Sequence, residues 1–131
     1  MSEKRSHQFG ARVREVREER KKTDQRFSVR GFAKMVGLSP TFISFMERGQ
    51  FAPPSPQKII RMAEVLDLNA DELLSLAGRV DPALIELICQ EPVFLPFVLR
   101  AASGLSGRER IRLRSLLTQF GRGKRADRKT R

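Results

Sequence analysis

The sequence predicts an all-helical fold, a five-helix domain followed by a helical extension. Three observations predict it. Apolar residues recur at three- and four-residue spacing along most of the chain. Helix-capping residues stand before these apolar runs: Ser28, Ser39-Pro40, Ser55, Asn69, Asp81-Pro82 and Ser106. Glycines stand where the runs stop, at 37, 49, 78 and 104. With 131 residues, 40% of them hydrophobic, the chain can bury a core, which argues against wholesale disorder.

Phe9, Val13, Val16 and Arg20 lie at helical spacing and predict a first helix from about Ser6 to Lys22. The polar stretch Lys21–Arg26 breaks that pattern and predicts an exposed loop. Ser28 caps a second helix through Val36, and Gly37 supplies the positive φ that ends it. Ser39 caps a third helix with Pro40 at its first position, where a missing N–H costs nothing. It carries Phe42, Ile43 and Met46 and stops at Gly49. Two short helices joined by a glycine-containing turn form the unit that can place its second helix in a DNA major groove.

Ser55 begins a fourth helix with apolar residues at 59, 62, 63 and 66, and Asn69 a fifth through Leu73, Leu74 and Ala77. The domain boundary is expected near Gly78–Val80. Asp81-Pro82 starts a sixth helix bearing Leu84, Leu87 and Ile88, which Pro92 ends. A seventh, Phe94 to Ala102, is interrupted early by Pro96 and closed by Ser103-Gly104. Ser106 and Glu109 have capping-box spacing ahead of Leu113, Leu116, Leu117 and Phe120, four apolar residues on one helix face. From Gly121 onward the chain is rich in Gly, Arg and Lys and predicts a basic disordered tail. The expected organisation is therefore 1–78, 79–120 and 121–131.

Lys and Arg total 26 against 15 Asp and Glu, a net charge of +11 that favours a polyanionic partner. The excess is at the ends. Residues 28–78 hold five basic and five acidic residues, the first 26 hold nine against five, and 108–131 hold ten against two. One cysteine, Cys89, excludes an intramolecular disulfide framework and a Cys-rich zinc site, and is expected to be a small buried hydrophobe. His7 is the only histidine and lies near the terminus. No Ser/His/Asp, Cys/His, paired-carboxylate or phosphate-loop constellation is visible, so the expectation is a non-enzyme without cofactor or metal. No apolar run reaches the ~20 residues of a membrane span. No signal peptide is visible, so a cytoplasmic location without a membrane partner is expected.

Ala33 lets the second and third helices approach, Gly37 makes the turn, and Ile43 locks the third helix to the core. With Phe32, Val36, Leu38 and Met46, this spacing resembles the Cro/phage-repressor helix-turn-helix family, often called XRE. Gly37-Leu-Ser-Pro-Thr-Phe-Ile-Ser-Phe-Met-Glu-Arg-Gly49 resembles its recognition helix, and Asn69-Ala-Asp-Glu-Leu-Leu74 its fifth-helix start. The likeness covers about residues 9–78 and implies a lambda-repressor-like DNA-binding domain. Similar regulators also carry a helical extension like Asp81–Ser106.

By this resemblance Pro40, Thr41, Ser44 and Phe45 meet base edges, and the 3.6-residue period agrees, since Ile43 and Met46 point inward. Ser39, Arg30 and Gln50 are the expected phosphate contacts. Arg17 and Glu47 stand where family members place a partly buried ion pair joining the first helix to the third. The chain departs from the pattern in three places. Val29 replaces a phosphate-contacting Gln, Phe45 replaces a polar or basic residue, and the loop after the first helix is about five residues longer. The function implied is a homodimeric transcriptional regulator, a repressor on a palindromic operator, dimerised through Leu113, Leu116, Leu117 and Phe120. A protein partner, a toxin or an anti-repressor, is also compatible with these features, and two other functions fit them: an antitoxin that also binds a toxin through its C-terminal helices, and a sequence-tolerant binder of DNA or membrane surfaces led by the basic termini.

Overall fold

The computed structural model describes the backbone of residues 2–128 and the side chains of residues 3–122. Every regular element among them is helical. The helices are α1 (Ser2–Lys21), α2 (Val29–Val36), α3 (Pro40–Glu47), α4 (Pro56–Leu66), α5 (Ala70–Leu76), α6 (Pro82–Gln90), α7 (Phe94–Ser103) and α8 (Gly107–Arg128). The chain divides into two compact units, Met1–Ile85 and Glu86–Arg131.

In the first unit, α1 to α5 enclose one core. Phe9 and Val13 of α1 meet Phe32, Ala33 and Val36 of α2, Ile43 and Met46 of α3, Ile59, Met62, Ala63 and Leu66 of α4, and Leu73 and Leu74 of α5. All of these are buried. Each short helix starts on the cap read from the sequence. The side-chain oxygens of Ser28, Ser39, Ser55 and Asn69 accept the N–H groups of Gly31, Phe42, Lys58 and Glu72.

Two expectations about the N-terminal half are corrected. α1 begins at Ser2, one turn before the predicted Ser6, because Glu, Lys and Arg propagate a helix without an apolar stripe, and Glu3 complements the dipole in its first turn. The predicted loop Lys21–Arg26 leads into a turn of 3₁₀ helix at Gln25–Phe27, capped by Asp24, whose carboxylate accepts the Arg26 N–H. This turn places Phe27 in the core, with the Arg20 guanidinium 5.8 Å from its ring centroid.

α4 also holds the turn between α2 and α3. Its Lys58 Nζ donates to the carbonyls of Val36 (3.3 Å) and Gly37 (3.2 Å), and Arg61 Nε donates to Met35 (3.2 Å). Two cations thus satisfy the carbonyls at the negative end of α2.

In the second unit none of residues 86–122 is fully buried. Pro96 does not interrupt α7; it lies in the first turn, where no intrahelical N–H bond is lost. Cys89 is exposed rather than buried, because α6 packs too little around it. α8 runs to Arg128, past the Gly121 at which order was expected to end. Arg, Lys and Ala sustain a helix without contributing apolar contacts, so a reading based on apolar residues stops too early. Residues 129–131 of the predicted tail lie outside the described residues. No single helix among the described residues is long and apolar enough to cross a membrane.

The capping box of α8 forms as read. Ser106 N–H donates to Glu109 Oε1 (2.9 Å), and Glu109 N–H donates to Ser106 Oγ (3.2 Å). Hydrogen bonding to the carboxylate from Ser106, its backbone N–H first and its hydroxyl second, holds the Glu109 carboxyl below its ordinary range. A carboxylate depressed in the folded state stabilises above its unfolded pKa and stops doing so as pH falls through its folded value. In an NMR titration the Glu109 carboxyl is therefore expected to protonate at lower pH than the glutamate of an unstructured peptide, with loss of the Ser106 amide shift at the same pH. An unshifted Glu109 midpoint would remove the box.

Candidate nucleic-acid interface

The region of interest is built by α2, α3 and the turn between them. Gly37 takes φ +73°, a conformation that other L-residues rarely adopt, and its N–H reaches the Ala33 carbonyl. Leu38 N–H reaches the same carbonyl at 2.9 Å, which closes α2. The chain then extends through Ser39 and restarts at Pro40.

α3 has two unlike faces. Ile43 and Met46 are both 0% exposed and fix the helix from behind. Pro40 and Thr41 are exposed on the other side, and Ser44 and Phe45 are half-buried. Thr41 and Ser44 carry hydroxyls that donate or accept. Ser39 is exposed, with its oxygen engaged by the Phe42 N–H at 3.0 Å, leaving its hydroxyl hydrogen to donate outward. Arg30, near the start of α2, and Gln50, just past α3, are also exposed. The Gln50 N–H donates to the Phe45 carbonyl at 2.9 Å.

Phe45 is not a free apolar knob. Its ring stacks on Phe51 at 4.9 Å between centroids, and the Arg48 guanidinium lies 4.7 Å from its centroid. Phe42 also meets Phe51, tilted at 5.6 Å between centroids. This aromatic group closes the C-terminal end of α3.

Arg17 and Glu47 are brought together in a two-toothed ion pair. Arg17 Nε meets Glu47 Oε2 at 2.7 Å, and Nη2 meets Oε1 at 2.9 Å. The side chains are 1% and 4% exposed. Arg17 Nη1 donates to the Phe27 carbonyl (2.9 Å) and Nη2 to Glu18 (3.0 Å), so every guanidinium nitrogen is engaged. The Glu47 hydrogen bonds, outweighing burial, raise the Arg17 pKa above its ordinary value. The pair ties α1, the 3₁₀ turn and α3 together.

A family model described as a helix-turn-helix domain matches residues 8–76. The chain belongs to this helix-turn-helix family. The match runs from within α1 to the end of α5, and the family makes the chain a DNA-binding transcription regulator. No curated protein and no solved structure matches it.

Several residues that shape the helix-turn-helix were not found from sequence. Gly10 is the main one. A Cβ there would overlap the Met46 carbonyl oxygen and come within 2.9 Å of the Glu47 carbonyl oxygen, so α1 and the end of α3 approach at backbone distance. A lone glycine inside a helical pattern was the only local signal. Arg79 donates to the carbonyls of Pro53 and Pro54 and so holds the loop after α3.

The four residues expected at a dimer face lie on α8. Leu113 is half-buried, while Leu116, Leu117 and Phe120 are 46%, 56% and 67% exposed. Leu113 and Leu117 border a crevice of about 460 Å³ with Ala102 and Leu105.

Proposed function

We propose that the protein is a Cro/phage-repressor (XRE) type regulator, a repressor that binds a palindromic operator as a homodimer. The observation that carries this reading is the two-faced α3, sealed behind by Ile43 and Met46, with Pro40 and Thr41 exposed and Ser44 and Phe45 half-buried in front. A helix so anchored can enter a major groove without exposing its core. Thr41 and Ser44 read base edges, and Pro40 and the rim of Phe45 add apolar contact to thymine methyls. Ser39, Arg30 and Gln50 bind phosphates and set the register. The pattern of Ala33, Gly37 and Ile43 supports the XRE assignment.

Residues 1–78 are the DNA-binding domain and 79–120 the dimerisation element. Short helices persist in water mainly by burying an apolar face, and among residues 86–122 none is buried within one chain. A second copy laid over Leu113, Leu116, Leu117 and Phe120 supplies the missing cover. One reading helix contacts only a few base pairs, so two of them, ~34 Å apart, supply affinity and symmetry together.

Selection from random duplex DNA tests both halves of the proposal. The expected motif has two half-sites related by a dyad, centred about one helical turn apart. Leu117→Asp combined with Phe120→Asp should shift the sedimenting species to the 15.0 kDa monomer and weaken operator binding at least tenfold. A motif without symmetry, or a wild-type chain that sediments as a monomer on the operator, contradicts the dimer. A wild-type monomer that forms a stable complex only with a second, different protein points instead to the antitoxin function.

A further inference from the structure

We infer that Arg14 and Arg48 form a clamp for a DNA backbone phosphate in the crevice that α1 and the start of α2 make with α3, an inference that rests on the DNA-binding reading above. The crevice holds about 240 Å³ and is bordered by Arg14 of α1, Val29 of α2, and Ser44 and Arg48 at the end of α3. The buried Arg17–Glu47 pair and the more exposed Glu18 line it as well.

Charge decides what such a crevice takes. Every nitrogen of Arg17 is already bonded within the protein, to Glu47, Glu18 and the Phe27 carbonyl. Its charge is answered by the carboxylates of Glu47 and Glu18. Arg14 and Arg48 are both exposed, and among the described residues neither is paired with a carboxylate. Three arginines against two glutamates leave the crevice positive, and the two arginines without a carboxylate partner are the exposed ones.

Arg48 is also held in place. Its Nε donates to the Ser44 carbonyl at 3.2 Å and its guanidinium lies on the Phe45 ring, which in turn stacks on Phe51. A guanidinium already ordered loses less entropy when it binds an oxyanion. Val29 brings no polar side chain, so the opening turn of α2 adds only the positive end of its dipole. Ser44 borders the crevice and also belongs to the outer side of α3. An anion seated there therefore lies beside any base pair that Ser44 reads. A phosphodiester of the same duplex satisfies both conditions, and the aromatic group acts as the stand that presents Arg48 to it.

The test uses the full chain and the duplex that it selects from a random pool. Binding is measured from 50 to 200 mM salt for the wild type, R14A, R48A, the double alanine variant and the double lysine variant, with helical content checked by circular dichroism. Each phosphate contact contributes about 0.9 to the slope of log affinity against log salt. The double alanine variant is expected to lose about 1 to 2 from that slope and at least tenfold in affinity at 100 mM salt, on selected and unrelated duplexes alike, while selecting the same motif. The double lysine variant should recover most of the slope, since it keeps both charges and side-chain stems. A slope and affinity equal to wild type in the double alanine variant overturns the clamp. So does a changed motif with an unchanged slope, which would make Arg48 a base reader. A wild-type chain that binds no duplex in a salt-dependent way overturns the DNA-binding reading itself.

Discussion

Glu47→Gln is expected to destabilise the first unit by about 3–5 kcal/mol, the cost of leaving a buried charge without its partner. The side chain keeps its shape and loses its charge, while Arg17 stays 1% exposed with its Nε and one Nη facing a neutral amide. Glu18 cannot take over, because it is half exposed and reaches only Nη2. Domains of this size are stable by about 5–15 kcal/mol, so the variant would lose about a fifth of the total or more. Urea unfolding followed by circular dichroism should show a lower midpoint with an unchanged slope. Arg17→Met together with Glu47→Leu should recover most of the loss, since paired removal takes away both the attraction and the desolvation. A loss under 1 kcal/mol for Glu47→Gln would mean that the pair does not hold α1 to α3.

Gly10→Ala is expected to cost about 3 kcal/mol, the upper end for an overpacked core. Alanine is the better helix former, so propensity alone would predict a gain of about 0.5–1 kcal/mol. Packing outweighs it. The added methyl would overlap the Met46 carbonyl oxygen and crowd that of Glu47, both of them backbone atoms that no rotamer change can move. α1 must then lift away from the end of α3, which disturbs the ion pair and the helix start with it. Gly121→Ala is the matched control, for a Cβ there meets nothing within 4 Å in the middle of α8. Thermal unfolding should separate the two variants by sign, with Gly10→Ala lowering the midpoint and Gly121→Ala leaving it equal or higher. A neutral Gly10→Ala would show that the two helices have slack between them.

The contrast between these glycines shows which parts of the fold can be read from sequence. Gly37 announces itself, because a glycine between two short apolar periods and ahead of Ser-Pro has a local reason to be there. Gly10 does not, because its reason is a carbonyl 36 residues away in sequence. Caps, helix order and the core positions Ile43, Met46, Leu73 and Leu74 follow from local chemistry and a 3.6-residue period, and they form as expected. Phe27 was hidden in a polar stretch, since a single aromatic residue sets no period, and the 3₁₀ turn that buries it depends on Asp24 and on contacts with α1. The end of α8 was misplaced for the opposite reason: the helix runs on past the last apolar residue of its period, through sequence rich in Arg and Lys, which are good helix formers. The Arg17–Glu47 pair was placed by family resemblance, which carried no sign of its two-toothed geometry or of the third bond to the Phe27 carbonyl. The same resemblance put Phe45 on the outer side of α3 but carried no sign of Phe51 or of the guanidinium above its ring.

The central claim is that the outer side of α3 reads base pairs. Random-duplex selection repeated with Thr41→Ala, Ser44→Ala and Arg30→Ala tests it most directly. The account predicts that the first two lose discrimination at particular operator positions, by about 1–3 kcal/mol for each lost contact, whereas Arg30→Ala selects the wild-type motif with weaker binding throughout. Wild-type preferences at every position in both Thr41→Ala and Ser44→Ala would contradict it.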